Sequence, residues 1–483
     1  MTTEIIINQT LINPIRTLGK DDDLGVLIND LGILGEIGHI KENISIITGG
    51  LKRVGTDNQE ENERKSRRHE LKTKEEIEEL AKINNNIYKL FLNNLEKVLV
   101  FEGAKNVLIQ VPSTHAFGFI GELIKRNKDK NSVLSKILVK YYIFDSESAV
   151  QIGTNLKAME RAFGYLIKEI YNVDKFVEIK DTTLPYKVFA ENNQSREMMG
   201  EIERKYNDDM KHLGKNHIPR LKTYFPSRQQ FLDDETSNSE VEFAKKFEQA
   251  FSMDVEKIRE ANNELKAYFD GYDEIEIKGK EGDIRFGIKG QLARNSWGDT
   301  NTPGAEVFSA PNKHDVNGWI LFPNKNVIKM FNDDERVVKG LKLYFENGKL
   351  VNLSIESDDY IETKKVNIIN RLNLLFDKNK ANRYLGEIAF GTTPQVKPGT
   401  IIHQLIAEKA IGMHIALGNC YKYPEMDNGN HNADFHWDII GSFENSEVYF
   451  IKGTKKVLVM KDGKFNQESL PSLAKYQNES QIF

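Results

Sequence analysis

The rhythm of apolar and polar positions changes three times along the chain. From 1 to 50, short apolar runs alternate with glycines, as in LGVLINDLGILGEIGHI and ISIITGG, and the second run predicts a strand ending at the Gly49-Gly50 turn. A glycine turn after a strand can cradle phosphate, but this one lacks the G-x-G-x-x-G or G-x-x-x-x-G-K-[ST] context and reads as a plain turn. Between 55 and 85, apolar residues almost vanish until Leu71, and TDNQEENERKSRRHELKTKEEIEELAKI carries charges of both signs. This predicts a solvated linker running into an amphipathic helix.

From 86 to 275 helical and extended patterns alternate. IYKLFLNNLEKVLVF reads as a helix, NVLIQVP as a strand, FGFIGELIKRN as a helix and ILVKYYIF as a strand; the helical AMERAFGYLIKEIYN and the strand-like KFVEIK follow. Such alternation predicts a largely parallel sheet with helices on its faces. Further helices fall within 240–271. Past Asp270-Gly271 the texture turns to short strands: DEIEIKG, DIRFGIKG, GWILF, KGLKLYFENGKLVNLSIES, EVYFIKG and KVLVMKDGKF. Asn347-Gly348 and Asp462-Gly463 mark two hairpins. The expected architecture is an α/β N-terminal domain plus an α+β C-terminal domain rich in antiparallel strands. Its expected divisions are 1–70 (extension and charged linker), 71–275 and 276–483.

Length and charge narrow the function classes. At 483 residues the chain exceeds one ordinary domain. A net charge of −5 gives no electrostatic footprint for nucleic acid, and the basic cluster Arg64 to Arg68 is offset by neighbouring glutamates. The single cysteine, Cys420, excludes an internal disulfide framework and fits a reducing compartment. The first residues lack the basic start and apolar core of a signal peptide, and no apolar stretch is long enough to span a membrane. A cytoplasmic protein without membrane or nucleic-acid partners is expected.

Candidate chemistry is concentrated in residues 383–438, which supply Glu387, Glu408, His414, Tyr421, His436 and Asp438. Carboxylates and imidazoles in this mixture suit divalent transition metals. His436-Trp437-Asp438 is an H-x-D triplet whose imidazole and carboxylate share a face if the segment is a strand. AEKAIGMHIALGNCY has helical composition, so His414 and Tyr421, seven apart, are expected on one helical face. Glu408 would be turned away from His414 on an unbroken helix and must sit at the helix entrance or in the turn before it to be a ligand. A buried neutral histidine is the plainer account of His414, which lies in an apolar run. His403 and His431 have no carboxylate at useful spacing and read as supporting or surface residues. Trp319 and Trp437 read as packing residues, Trp437 with a possible part in the site wall.

Four segments, NTPGAEVFSAPNKHDVNGWILF (301–322), RYLGEIAFG (383–391), AEKAIGMHIALGNCY (407–421) and NADFHWDIIG (432–441), resemble the aminopeptidase T/aminopeptidase S family of metallopeptidases, family M29, in the family's order. The resemblance covers roughly the C-terminal two fifths of the chain. It implies an aminopeptidase, usually a homodimer, that binds two divalent ions (Zn, Co, Mn or Mg) in its C-terminal domain and acts on peptides with a free N-terminus. The implied ligands are Glu306, Glu387, Glu408, His414, His436 and Asp438, with Glu387 the preferred bridge. Tyr421 matches the family's active-site tyrosine, and Glu387 and Glu408 are the carboxylates expected to join it in catalysis. Ala407 stands where the family usually has an acidic residue, and Pro303-Gly304-Ala305-Glu306 departs from its P-S-G-E pattern.

Two rival readings remain at the sequence level. A mononuclear iron dioxygenase could build a facial triad from His414, His436 and either Asp438 or Glu387. A catalytically degenerate binding protein would place the novelty in the N-terminal extension.

Overall fold

The structure is a computed structural model and describes residues 4–7, 16–17, 73–136, 138–144, 173–180, 220–233, 236–328, 330–331, 337–396, 404–421, 423 and 426–480. The predicted strand and turn at 44–50, the basic cluster at 64–68, the helix at 158–172 and His403 lie outside the described residues. Two compact units divide the chain: Met1–Asn85 with Leu99–Arg220, and Asn86–Val98 with Leu221–Phe483.

The first unit contains the parallel sheet that the alternating pattern predicts. The strand Asn106–Pro112 lies between Leu138–Phe144 and Lys175–Lys180, parallel to both. Val107, Leu108, Ile109 and Val111 are all buried, as a strand covered on both faces requires. Glu4–Ile7 pairs in parallel with Leu138–Phe144 and antiparallel with Arg16–Thr17. The helix Lys74–Glu102, whose middle part Asn86–Val98 is counted with the second unit, starts at a capping box formed by Thr73 and Glu76 and stops at Gly103, whose φ of 66° few other residues adopt cheaply.

Helices and two antiparallel sheets build the second unit. Asp254 accepts from the backbone of Glu256 and Lys257, so the helical run at 240–271 divides into Glu240–Phe251 and Val255–Gly271. The larger sheet has eight strands, in the order Lys349–Ile355, Val337–Glu346, Val316–Val327, Gly282–Gly287, Glu274–Gly279, Ser446–Lys452, Lys455–Lys461 and Lys464–Phe465. Both predicted hairpins form. Asn347 and Gly348 (φ 48° and 80°) and Asp462 and Gly463 (φ 50° and 69°) take the positive φ values of a two-residue turn matched to strand twist.

The smaller sheet has five strands, all antiparallel, ordered His436–Gly441, Gly412–Gly418, Leu385–Gly391, Glu306–Ser309 and Arg294–Ser296. Phe269 of the helix Val255–Gly271 packs edge-on against Phe390 of this sheet and Phe450 of the larger one, joining the three layers.

The helix expected across 407–421 does not form. Only Gln404–Ala407 is helical, and Gly412–Gly418 is a strand paired on both sides, every residue of it buried. A short apolar run fits a buried strand as well as a helix by periodicity, and here the ladder bonds on both edges decide. Gly412 and Gly418 bound the run at φ 151° and 102°, and glycine is a poor helix former. His414 and Tyr421 therefore do not share a helical face: His414 lies in the strand and Tyr421 in the turn that follows it. Among the described residues no helix is long and apolar enough to cross a membrane.

Candidate metal centre

Register places the candidate ligands on one face of the five-stranded sheet. Glu387 pairs with Ala416, which pairs in turn with Asp438, so the two carboxylates flank an alanine across three strands. His414 lies two residues before Ala416 and pairs with Ala389, while Glu306 pairs with Gly391. Alternation points all of these the same way. The small residues Ala389, Gly391 and Ala416 leave the space into which Glu306, Glu387, His414 and Asp438 extend. The H-x-D expectation holds: His436 and Asp438 share that face, and Trp437 between them points to the other, buried, with Nε1 donating to the carbonyl of Val327 at 2.8 Å.

Two groups of donor atoms result. Glu306, Glu387 and His414 form one, Glu387, His436 and Asp438 the other, and within each group the candidate atoms lie within 4.8 Å of one another. His414 Nε2 is 3.3 Å from Glu387 Oε1 and 3.4 Å from Glu306 Oε2. His436 Nε2 is 3.2 Å from Glu387 Oε2 and 2.8 Å from Asp438 Oδ1. Each imidazole thus faces a different oxygen of Glu387. The first group is fully buried, whereas the side chain of His436 keeps 22% of its surface exposed.

The donor set fits divalent metal. Three carboxylates and two imidazoles converge in a largely buried space, and Glu306 Oε2 is buried there without a hydrogen-bond partner, an expensive arrangement unless a cation satisfies it. His436 Nδ1 donates to the carbonyl of Asn419 at 2.6 Å, which leaves Nε2 as the lone-pair nitrogen aimed at the carboxylates.

Glu408 stands outside both groups. Its Oε1 lies 3.0 Å from the ammonium of Lys409, which also pairs with Glu306 Oε1. The sequence reading missed Lys409. A lysine beside a glutamate on a charged chain looks solvated, and only the fold, with 2% of its side chain exposed, shows it facing the centre. His431 is half-buried and belongs to neither group.

Tyr421 lies beside the more exposed group. Its ring centroid is 5.0 Å from that of His436 and 5.3 Å from that of Phe308, and 40% of the residue is exposed. Asn430 holds the turn beneath it, donating to the carbonyls of Gly418 and Ala381 at 2.7 Å and accepting from the Cys420 amide through its backbone. Asn419 pairs both ways with Ala433. Neither asparagine carries a sequence signal for this role.

Charge in the group follows from burial and proximity. Burial pushes the Glu306 carboxyl above its usual range, and Lys409 only partly offsets it. Burial acts the same way on Glu387, but His414 and His436 outweigh it and bring that carboxyl below its usual range. Burial works against protonation of both imidazoles. Glu387, Glu306 and Glu408 nevertheless raise His414, and Asp438 with Glu387 raises His436 well above the ordinary value. Burial first, then the charges of Glu387 and Asp438, keep the Tyr421 phenol protonated.

These directions give a pH prediction. An imidazolium raised in the folded state stabilises the fold fully below its unfolded value of about 6.5, and this contribution disappears as pH rises through the folded value. A bound ion needs neutral imidazoles, so its contribution grows with pH. From about pH 6 to about pH 9, the site's contribution to the melting temperature of chelator-treated protein should fall while the increment gained on adding metal rises. Parallel melting profiles with and without metal would show that the imidazoles do not contact the ion.

Comparison with known proteins bears on the same region. Residues 245–465 match the sequence profile of the family described as thermophilic metalloprotease (M29). No curated protein matches the chain. Among solved structures, wild-type AmpT from Thermus thermophilus superposes with a TM-score of 0.59 at 18% identity, over 79% of this chain and 98% of its own. A 2,5-dihydroxypyridine dioxygenase from Pseudomonas putida KT2440 gives a TM-score of 0.49 at 12% identity, over 79% of this chain and 97% of its own.

Proposed function

We propose that the chain, whose residues 245–465 match the profile of the M29 metalloprotease family, is an aminopeptidase that removes N-terminal residues from peptides at a centre for two divalent ions. The observation that carries this reading is the division of the donors into two groups sharing Glu387, one carboxylate oxygen turned toward each imidazole. Glu306, Glu387 and His414 would hold one ion, and Glu387, His436 and Asp438 the other. Zn, Co, Mn and Mg all accept such nitrogen and oxygen donors. A pair of ions of this kind lowers the pKa of a water between them and polarises the scissile carbonyl.

The remaining steps belong to the chain's own residues. Tyr421, protonated and beside the more exposed group, would donate a hydrogen bond to the developing oxyanion. The Asn419 carbonyl holds the proton on His436 Nδ1, so that Nε2 is the nitrogen that would face an ion once the imidazole is neutral. A carboxylate of the exposed group would receive the substrate's free ammonium group, which limits cleavage to one residue at a time. The facial-triad alternative needs both imidazoles around one point, but His414 and His436 fall in different groups, and this favours two positions over one.

Metal analysis of the purified protein, run alongside hydrolysis of a panel of aminoacyl anilides with and without chelator, tests the proposal. Two divalent ions per chain and hydrolysis that stops on chelation and returns with metal are expected. One iron per chain with oxygen consumption on an aromatic substrate would overturn it, as would hydrolysis that survives exhaustive chelation.

A further inference from the structure

Lys409 is the only lysine side chain in contact with the donor carboxylates among the described residues, and it is almost fully buried. Its placement is built by the surrounding backbone. Gly304, at φ +121°, lies against the lysine stem, and a Cβ there would come within 2.5 Å of Lys409 Cβ and Cγ. The Lys409 carbonyl accepts from the Thr393 amide at 2.9 Å, its own amide donates to Ile406 at 3.1 Å, and Thr393 Oγ1 accepts from the Ala305 amide at 2.8 Å. Gly391 allows the segment 408–410 to pass close over the sheet, because a Cβ at that position would run into the carbonyl of Ala410. The segment carrying the lysine and the one carrying Glu306 are therefore locked together.

We propose that Lys409 is a resident cation of the centre, whose ammonium group neutralises Glu306 and Glu408 in place of an ion, confines Glu306 to coordination through Oε2, and withholds Glu408 from coordination. The inference rests on the metal-centre reading above. Lys409 contacts one oxygen of Glu306, and the other oxygen is the one that faces His414. Glu408, which the sequence presents as a sixth ligand, is instead the lysine's second partner. Lys409 is thus a positioning residue and touches no substrate.

The test titrates Zn²⁺ into chelator-stripped, full-length protein by calorimetry, with ion counts by mass spectrometry, for wild type, Lys409→Met and Glu408→Gln. Removing a fixed positive charge next to the ligands should tighten Zn²⁺ binding by Lys409→Met at least roughly tenfold, since Coulomb attraction at short range inside a protein is large. Glu408→Gln should bind the same number of ions as wild type. Affinity in Lys409→Met that is unchanged or weaker, with only a lower melting temperature, would reduce the lysine to a structural ion pair and overturn the proposal. If Lys409→Met does not fold, Glu408→Gln decides: loss of an ion makes Glu408 a ligand and the inference false. A wild type that binds no divalent ion would instead sink the metal-centre reading itself, a failure separate from that of Lys409.

Discussion

Glu387→Gln is expected to empty both ion positions and lower the specificity constant for aminoacyl anilides by more than about 10³-fold, a loss of at least about 4 kcal/mol of transition-state stabilisation. Each oxygen of Glu387 faces one imidazole, so the amide replaces one of the two donor oxygens with an NH₂ group that can only repel a cation. The charge lost is the one shared by both groups. Effects of different size follow at the flanking positions, because Asp438 and Glu306 each belong to one group only. The measurement is ion content and hydrolysis on the same preparation, with a melting curve to confirm folding. A Glu387→Gln protein that keeps two ions would remove Glu387 as the bridge and require the groups to be redrawn.

Tyr421→Phe should behave differently, keeping both ions while kcat falls on the order of 10²-fold, the usual cost of removing one oxyanion donor. The phenol lies beside His436, while the two donor groups are made up of carboxylates and imidazoles alone, so its loss should leave coordination intact. A plainer role, in which the hydroxyl caps a buried polar group, predicts lower thermal stability with kcat nearly unchanged. Ion content, melting temperature and kcat measured together separate the cases. Full metal content with wild-type kcat would take Tyr421 out of the catalytic machinery.

How much of this was legible in the sequence depends on the range of the forces involved. The H-x-D triplet needed only the two-residue alternation of a strand, and the two Asn/Asp-Gly hairpins only local φ preferences; both hold. The strand Asn106–Pro112 was legible to the residue because an apolar run of that length, flanked by helical patterns, has few other uses. The segment at 407–421 misled because its helical composition is a weak local preference. Pairing with Leu385–Gly391 on one side and His436–Gly441 on the other overrides it, and those partners are distant in sequence. Lys409 was illegible for a related reason: its burial depends on Gly304 and Gly391, about a hundred and about twenty residues away, leaving room for it. The list of carboxylates and imidazoles could be drawn up from the chain, but their division into two groups could not, because register sets it.

The turn at Asn419 serves two clients. Its carbonyl takes the Nδ1 proton of His436, and two residues later the same short run presents Tyr421 to the same imidazole. The tilt of the metal-facing ring and the height of the phenol are therefore set by one rigid peptide segment, braced by Asn430. The orientation of the His436 ring and the position of the Tyr421 ring thus share one mechanical support. Substitutions at His436 and Tyr421 will consequently not sum, and the shortfall measures how stiff that turn is.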